Sequence, residues 1–148
     1  STSVTFVTPN VSGTGDGDYD VRVENPDGGV ALKTDFITID GPVTFSSPAA
    51  GATIASVEEG ASISATVVAS EPDSGTITYS VSAGALPSGV TLNTSTGVIS
   101  GTAPTTGSDT NYNFTIQATD PENQSATRSF VINVTVPLTM TGGTHFGG

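Results

Sequence analysis

Few residues in this chain are suited to acid–base or nucleophilic chemistry. Its 148 residues include one histidine, His145, and no cysteine. His145 lies in a glycine-rich stretch that offers no rigid scaffold for a nucleophile and an orienting acid. Glu58 and Glu59 are adjacent, so on a strand their side chains point to opposite faces and cannot flank one scissile bond. We therefore predict no catalytic residues and no enzymatic activity.

Carboxylates are plentiful, which makes metal binding the next possibility. The chain has 14 Asp and Glu against 3 Lys and Arg, a formal net charge of −11. Asp16, Asp18 and Asp20 have the spacing with which an EF-hand loop begins, but Val21 stands where that loop needs glycine. The acidity excludes nucleic acid as a partner, because phosphate contacts need a basic surface. No apolar run is long enough for membrane insertion.

Short stretches of alternating apolar and polar residues predict the elements that position these groups. Glycine (18 residues) and proline (9 residues) recur between them and supply turns, a mix typical of all-β proteins. In residues 111–119 the side chains expected to point inward are Tyr112, Phe114, Ile116 and Ala118. The strands predicted after residue 42 cover residues 43–45, 53–57, 62–70, 76–82, 90–92, 98–99, 111–119 and 125–136.

Three regions follow from these patterns. Residues 1–40 hold three predicted strands, at 4–7, 19–24 and 30–39, which are too few to bury two sheet faces. We expect a longer polypeptide or a neighbouring chain to complete that sheet. Residues 41–136 have enough strands for a Greek-key sandwich. Residues 137–148 form a Gly/Thr-rich tail or linker.

The string LPSGVTLNTSTGVISGTAPTTGSDTNYNFTIQATD carries a family resemblance. It resembles the signature of the bacterial and phage "putative immunoglobulin" (He_PIG-type) domains, relatives of the cadherin fold. The resemblance implies an immunoglobulin/cadherin-like Greek-key β-sandwich that serves as a spacer or adhesive module, with no catalytic role. The matching positions are Leu86, Pro87, Gly89, Leu92, Gly97, Ile99, Gly101, Pro104, Tyr112, Phe114, Ile116, Ala118 and Asp120.

The preceding string GDYDVRVENPDGGVALKTDFITI resembles the closing half of an IPT/TIG domain, which is also immunoglobulin-like. The pair of modules resembles segments of phage virion structural proteins. The predicted function is therefore a structural and interaction module of a virion appendage or capsid decoration protein, located on the virion surface or outside the cell. The alternatives are a bacterial surface adhesin or filament segment and a carbohydrate-binding accessory domain of a secreted enzyme. Expected partners are neighbouring subunits, other domains of the same chain and host-surface glycans.

The resemblance to cadherin-like domains also implies a calcium site. Its ligands would be Glu58 or Glu59, then Glu71 and Asp73, then Asp120, with Asp40 of the linker nearby. Two cadherin elements are missing, because residues 102–106 replace the "LDRE" stretch and no "D-x-N-D-N" linker follows Val134. No other cofactor is expected.

Overall fold

The computed structural model describes residues 17–24, 26–39, 41–72 and 75–138, and within these ranges every regular element is a strand. The chain divides into two compact units, Ser1–Gly41 and Pro42–Gly148. Among the described residues there is no helix with the length and apolar character needed to cross a bilayer. The all-β prediction is confirmed.

The described part of the first unit is a hairpin of β1 (Gly17–Glu24) and β2 (Val30–Ile39). The two strands pair antiparallel, with a register shift between Tyr19 and Val21. In the turn, Asp27 Oδ1 accepts a hydrogen bond from the Gly29 amide at 3.1 Å. The strand predicted at residues 4–7 lies outside the described residues.

The second unit contains a four-stranded sheet in the order β4-β11-β10-β7. Strand β4 runs parallel to β11, while β10 pairs antiparallel with both β11 and β7. The bounds are β4 (Thr53–Glu58), β7 (Thr78–Gly84), β10 (Thr110–Thr119) and β11 (Ser125–Thr135).

The opposing layer consists of the pair β3-β6 and the sheet β5-β9-β8. Its strands are β3 (Thr44–Ser47), β5 (Ser62–Thr66), β6 (Val68–Ser70), β8 (Val90–Leu92) and β9 (Val98–Thr102). The sequence predicted one strand over residues 62–70, but Val67 interrupts it. At Val67 the chain changes partner: the Val67 amide still donates to the Gly97 carbonyl at 3.0 Å, in register with the pairing of β5 and β9, and Val68 then pairs with Ser47 of β3.

The core lies between the two layers and follows the predicted alternation. The buried side chains include Phe114, Ile116 and Ala118 from β10 and Phe130, Ile132 and Val134 from β11. From the opposing layer come Ile63, Val67 and Ile99. Tyr112, predicted to point inward, is only partly buried and packs against this cluster.

Arg128 joins the first strand of the second unit to the four-stranded sheet. Its guanidinium donates to the carbonyl oxygens of Pro48 at 2.7 Å and Phe45 at 2.8 Å, and its Cζ lies 5.3 Å from the centroid of the Phe45 ring. The Phe45 ring in turn packs edge-on against Phe130 at 6.3 Å. The Arg128 side chain thus attaches β3 to the four-stranded sheet.

Strand β7 forms one edge of the four-stranded sheet and contains a bulge. The pairing with β10 shifts between Thr115 and Ile116, so Ser82 is the extra residue on β7. The strand ends at Gly84, whose φ of 69° favours glycine. A Cβ at Gly84 would collide with the backbone of Asn113 and Phe114.

We expect Gly84→Ala to lower the free energy of unfolding by roughly 3 kcal/mol, the sum of a left-handed alanine and an overpacked backbone contact. Gly60→Ala is the matched control, since Gly60 has a φ of 78° but open space around the position of a Cβ. The control should cost only about 1–2 kcal/mol, from the conformation alone. Urea unfolding of both variants measures the difference, and equal midpoints would contradict the proposed collision.

Candidate cation site at one end of the sandwich

Three strand ends meet at one end of the second unit. Strand β6 ends at Ser70 and β10 ends at Thr119, while β7 begins at Thr78, which pairs with Thr119. Glu71 and Asp120 are the first residues after β6 and β10, so the fold places both at this end. We call it the acidic end.

Glu71, Asp120 and Glu122 form a carboxylate cluster at the acidic end. One carboxylate oxygen from each residue lies within 4.8 Å of the other two. Glu71 is 8% exposed and Asp120 is 5% exposed, whereas Glu122 is exposed. Three oxygen ligands at this separation are the type of donor that calcium prefers.

A tight turn after β10 fixes Asp120. Its Oδ1 accepts a hydrogen bond from the Gln124 amide at 2.7 Å, and its own amide donates to the Gln124 carbonyl at 3.1 Å. Asn123 completes the turn with a φ of 71°. Asp120 Oδ2 is buried and has no hydrogen-bond partner among the residues that the structure describes. A buried carboxylate oxygen without a donor is costly, so a cation beside this atom would stabilise the carboxylate.

Gly75 makes room for the Glu71 carboxylate. A Cβ at this position would collide with Glu71 Oε1 and lie 3.0 Å from Cδ of Pro121. Any larger residue would therefore push Glu71 away from the cluster.

The structure brings together only part of the predicted ligand set. Glu71 and Asp120 are adjacent, whereas Asp40 and Asp73 lie outside the described residues, as do Asp16 and His145. Glu122 belongs to the cluster and was not among the predicted ligands. The feature of the sequence that could have identified Glu122 as a ligand is its spacing of two residues from Asp120.

Glu58 and Glu59 lie at the opposite end of the sandwich. Glu58 pairs with Thr135 at the end of β11, whereas the acidic end lies before the first residue of that strand, Ser125. Ten residues of strand span roughly 33 Å, which separates these glutamates from Glu71 and Asp120. They cannot share an ion with that cluster.

Glu59 has a different role at its own end. Its Oε2 accepts hydrogen bonds from the amides of Thr106 at 2.9 Å and Gly107 at 3.4 Å. Its amide donates to the Thr135 carbonyl at 2.9 Å. The carboxylate thus holds the segment that replaces the "LDRE" stretch, with backbone amides in place of a metal ion.

We expect Glu59→Ala to lower the free energy of unfolding by about 1.5–3 kcal/mol, because hydrogen bonds to a charged acceptor are lost and two amides lose their partner. Glu58→Ala is the matched control, since Glu58 is exposed and should change stability by less than about 0.5 kcal/mol. Chemical unfolding of both variants, with and without calcium, tests this role. A calcium-dependent effect of Glu59→Ala would argue against it.

Comparison with solved structures shows the same fold in multidomain proteins. Protocadherin gamma B7 extracellular cadherin domains 1–4 align with a TM-score of 0.55 and 18% identity, covering 88% of this chain and 41% of that one. Protocadherin gamma B2 extracellular cadherin domains 1–5 align with a TM-score of 0.52 and 16% identity, covering 78% of this chain and 30% of that one. The endo-fucoidan hydrolase MfFcnA4 of glycoside hydrolase family 107 aligns with a TM-score of 0.52 and 18% identity, covering 95% of this chain and 21% of that one. The chain thus spans less than half the length of each of these structures.

No curated protein sequence matches the chain. A family model does: the putative Ig domain model, He_PIG, matches residues 41–135, which include all nine strands of the second unit. The family predicted from the LPSG…ATD string is therefore confirmed, and the chain belongs to the putative Ig domain family.

Proposed function

We propose that this chain is a non-enzymatic spacer and adhesion module of a phage virion appendage or capsid decoration protein, acting outside the cell. The observation that carries the proposal is the sandwich itself. Its interior is filled by interlocking side chains from both layers, so the unit presents surfaces and ends to partners. The IPT/TIG-like string in β1 and β2 and the Lys-poor, Gly-rich composition support the virion setting.

A second candidate is a carbohydrate-binding accessory domain of a secreted enzyme. The alignment with the endo-fucoidan hydrolase favours it, because 95% of this chain matches a region that makes up 21% of that enzyme. A bacterial surface adhesin or filament segment is the third candidate, and it requires the same spacer and surface properties.

Calcium binding at the acidic end would suit each of these settings. Glu71, Asp120 and Glu122 would supply carboxylate oxygens, and the buried Asp120 Oδ2 would gain the partner that it lacks among the described residues. The ion would offset the repulsion among three neighbouring carboxylates and stiffen the turns after β6 and β10. Calcium here would therefore stabilise a binding surface and take no part in a reaction.

The location is tested with an antibody raised against the chain. Immunogold electron microscopy should label appendages or capsids of virions from the source of the gene. Labelling of the bacterial surface or of filaments would support the surface adhesin or filament segment instead. Co-purification with a hydrolase from culture medium would support the carbohydrate-binding accessory domain. Either of these results would overturn the virion assignment.

Calcium should raise the melting temperature. At about 10 mM calcium, a Kd of about 1 mM, within the range of extracellular sites, corresponds to about 1.4 kcal/mol of added stability, or several degrees. Equal ionic strength from sodium chloride should give no comparable shift. Calorimetry or scanning fluorimetry measures both.

Variants separate a specific site from general acidity. Asp120→Asn and Gly75→Ala should reduce the calcium shift, the first by removing a ligand and the second by displacing Glu71. Asp109→Asn is the control, because Asp109 Oδ1 accepts one backbone amide, that of Val136, just as Asp120 Oδ1 accepts that of Gln124. A calcium shift equal in all three variants would refute the site.

A further inference from the structure

A second feature of the acidic end is an open pocket of about 350 Å³ beside the carboxylate cluster. Ser70, Thr76, Ser95 and Thr96 line it, together with Glu71, Ile77 and Tyr79. Its volume lies at the lower limit of the range for small-molecule sites, which is roughly 300–1,000 Å³. The pocket therefore suits a ligand of about one ring.

The walls of this pocket are held in place by hydrogen bonds. Asn93 Oδ1 accepts the amides of Ser95 at 3.0 Å and Thr96 at 3.1 Å, which fixes the turn before β9. The Tyr79 hydroxyl accepts the Ala69 amide at 3.0 Å, and the Tyr79 amide donates to the Thr94 carbonyl at 2.7 Å. The site is preorganised, so a ligand pays little ordering entropy.

The chemistry of the lining selects a class of ligand. Serine and threonine hydroxyls both donate and accept hydrogen bonds, so they can pair with the hydroxyls of a ligand. Ile77 and the Tyr79 ring add apolar surface on the same wall. Three neighbouring carboxylates repel anions such as sulfated or carboxylated sugars and phosphates. The lining therefore favours a small, neutral ligand with several hydroxyls and an apolar face.

We propose that this pocket binds one neutral sugar ring of a surface glycan, with ligand hydroxyls on the serine and threonine side chains and the ring face against Ile77 and Tyr79. The proposal rests on the adhesion role proposed above and gives it a binding site. Tyr79 contributes as part of the wall, because at 7% exposure its ring cannot serve as an open stacking platform.

The test is a titration followed by ¹H–¹⁵N NMR of the full chain. The probes are the methyl glycosides of glucose, galactose, mannose and fucose, added with calcium and separately with EDTA, and choline as an organic cation. At least one glycoside should give saturable shifts at the amides of Ser95, Thr96 and Ala69. No saturable shift with any glycoside, or saturation by choline alone, would overturn the proposal.

A matched pair of variants locates the binding. Thr96→Phe fills the pocket and should abolish the saturable shifts, whereas Thr94→Phe changes the same turn outside the lining and should retain them. Unchanged melting temperatures confirm that both variants fold. Equal binding by the two variants would refute the pocket as the site.

The outcomes also separate this proposal from the proposed function. If calcium stabilises the chain and immunogold labels virions while no glycoside binds, only the sugar pocket fails. If a glycoside binds in the pocket but the protein is found on neither virions nor cells, the virion role fails and the pocket stands.

Discussion

The pairing of β10 with β11 is the constraint on which the rest of the second unit depends. Ten consecutive pairs, from Thr110↔Val134 to Thr119↔Ser125, run without a bulge. Because side chains alternate along a strand, a slip of one residue would expose Phe114 and Phe130 and bury hydroxyls and amides. The paired strands are connected by the tight turn that holds Asp120. The packing of the core and the geometry of the carboxylate cluster therefore both depend on this register.

The carboxylates at the two ends of the sandwich have different partners. At one end, Glu59 receives two backbone amides from the segment after β9 and needs no further partner. At the acidic end, Asp120 receives one amide on Oδ1, and two other carboxylates lie close to it. Backbone amides stabilise a carboxylate without bringing another negative charge close to it. In a cluster of carboxylates the negative charges repel one another, and a bound cation would offset that repulsion. Among the described residues, this contrast makes the acidic end the better candidate for calcium.

The sequence was sufficient for what depends on local alternation and was insufficient for what depends on long-range pairing. The inward positions of β10 follow from a period of two: Phe114, Ile116 and Ala118 are buried as predicted, whereas Tyr112 is only partly buried. The interruption at Val67 arises because the chain changes its partner from β9 to β3, and no local pattern reveals these long-range pairings. The parallel pairing of β4 with β11 determines the end of the sandwich at which Glu58 and Glu59 lie. Glu122 joins the cluster only through the shape of its turn, which its neighbours in sequence do not specify.

The bulge at Ser82 on β7 has a consequence for proteins displayed in many copies. An exposed edge strand with a regular ladder is a template for a strand of another chain, and crowding increases that risk. The extra residue and the terminal Gly84 disturb the spacing of free amides and carbonyls along this edge. A strand of another chain therefore meets no regular ladder along this edge, which disfavours pairing between copies through β7.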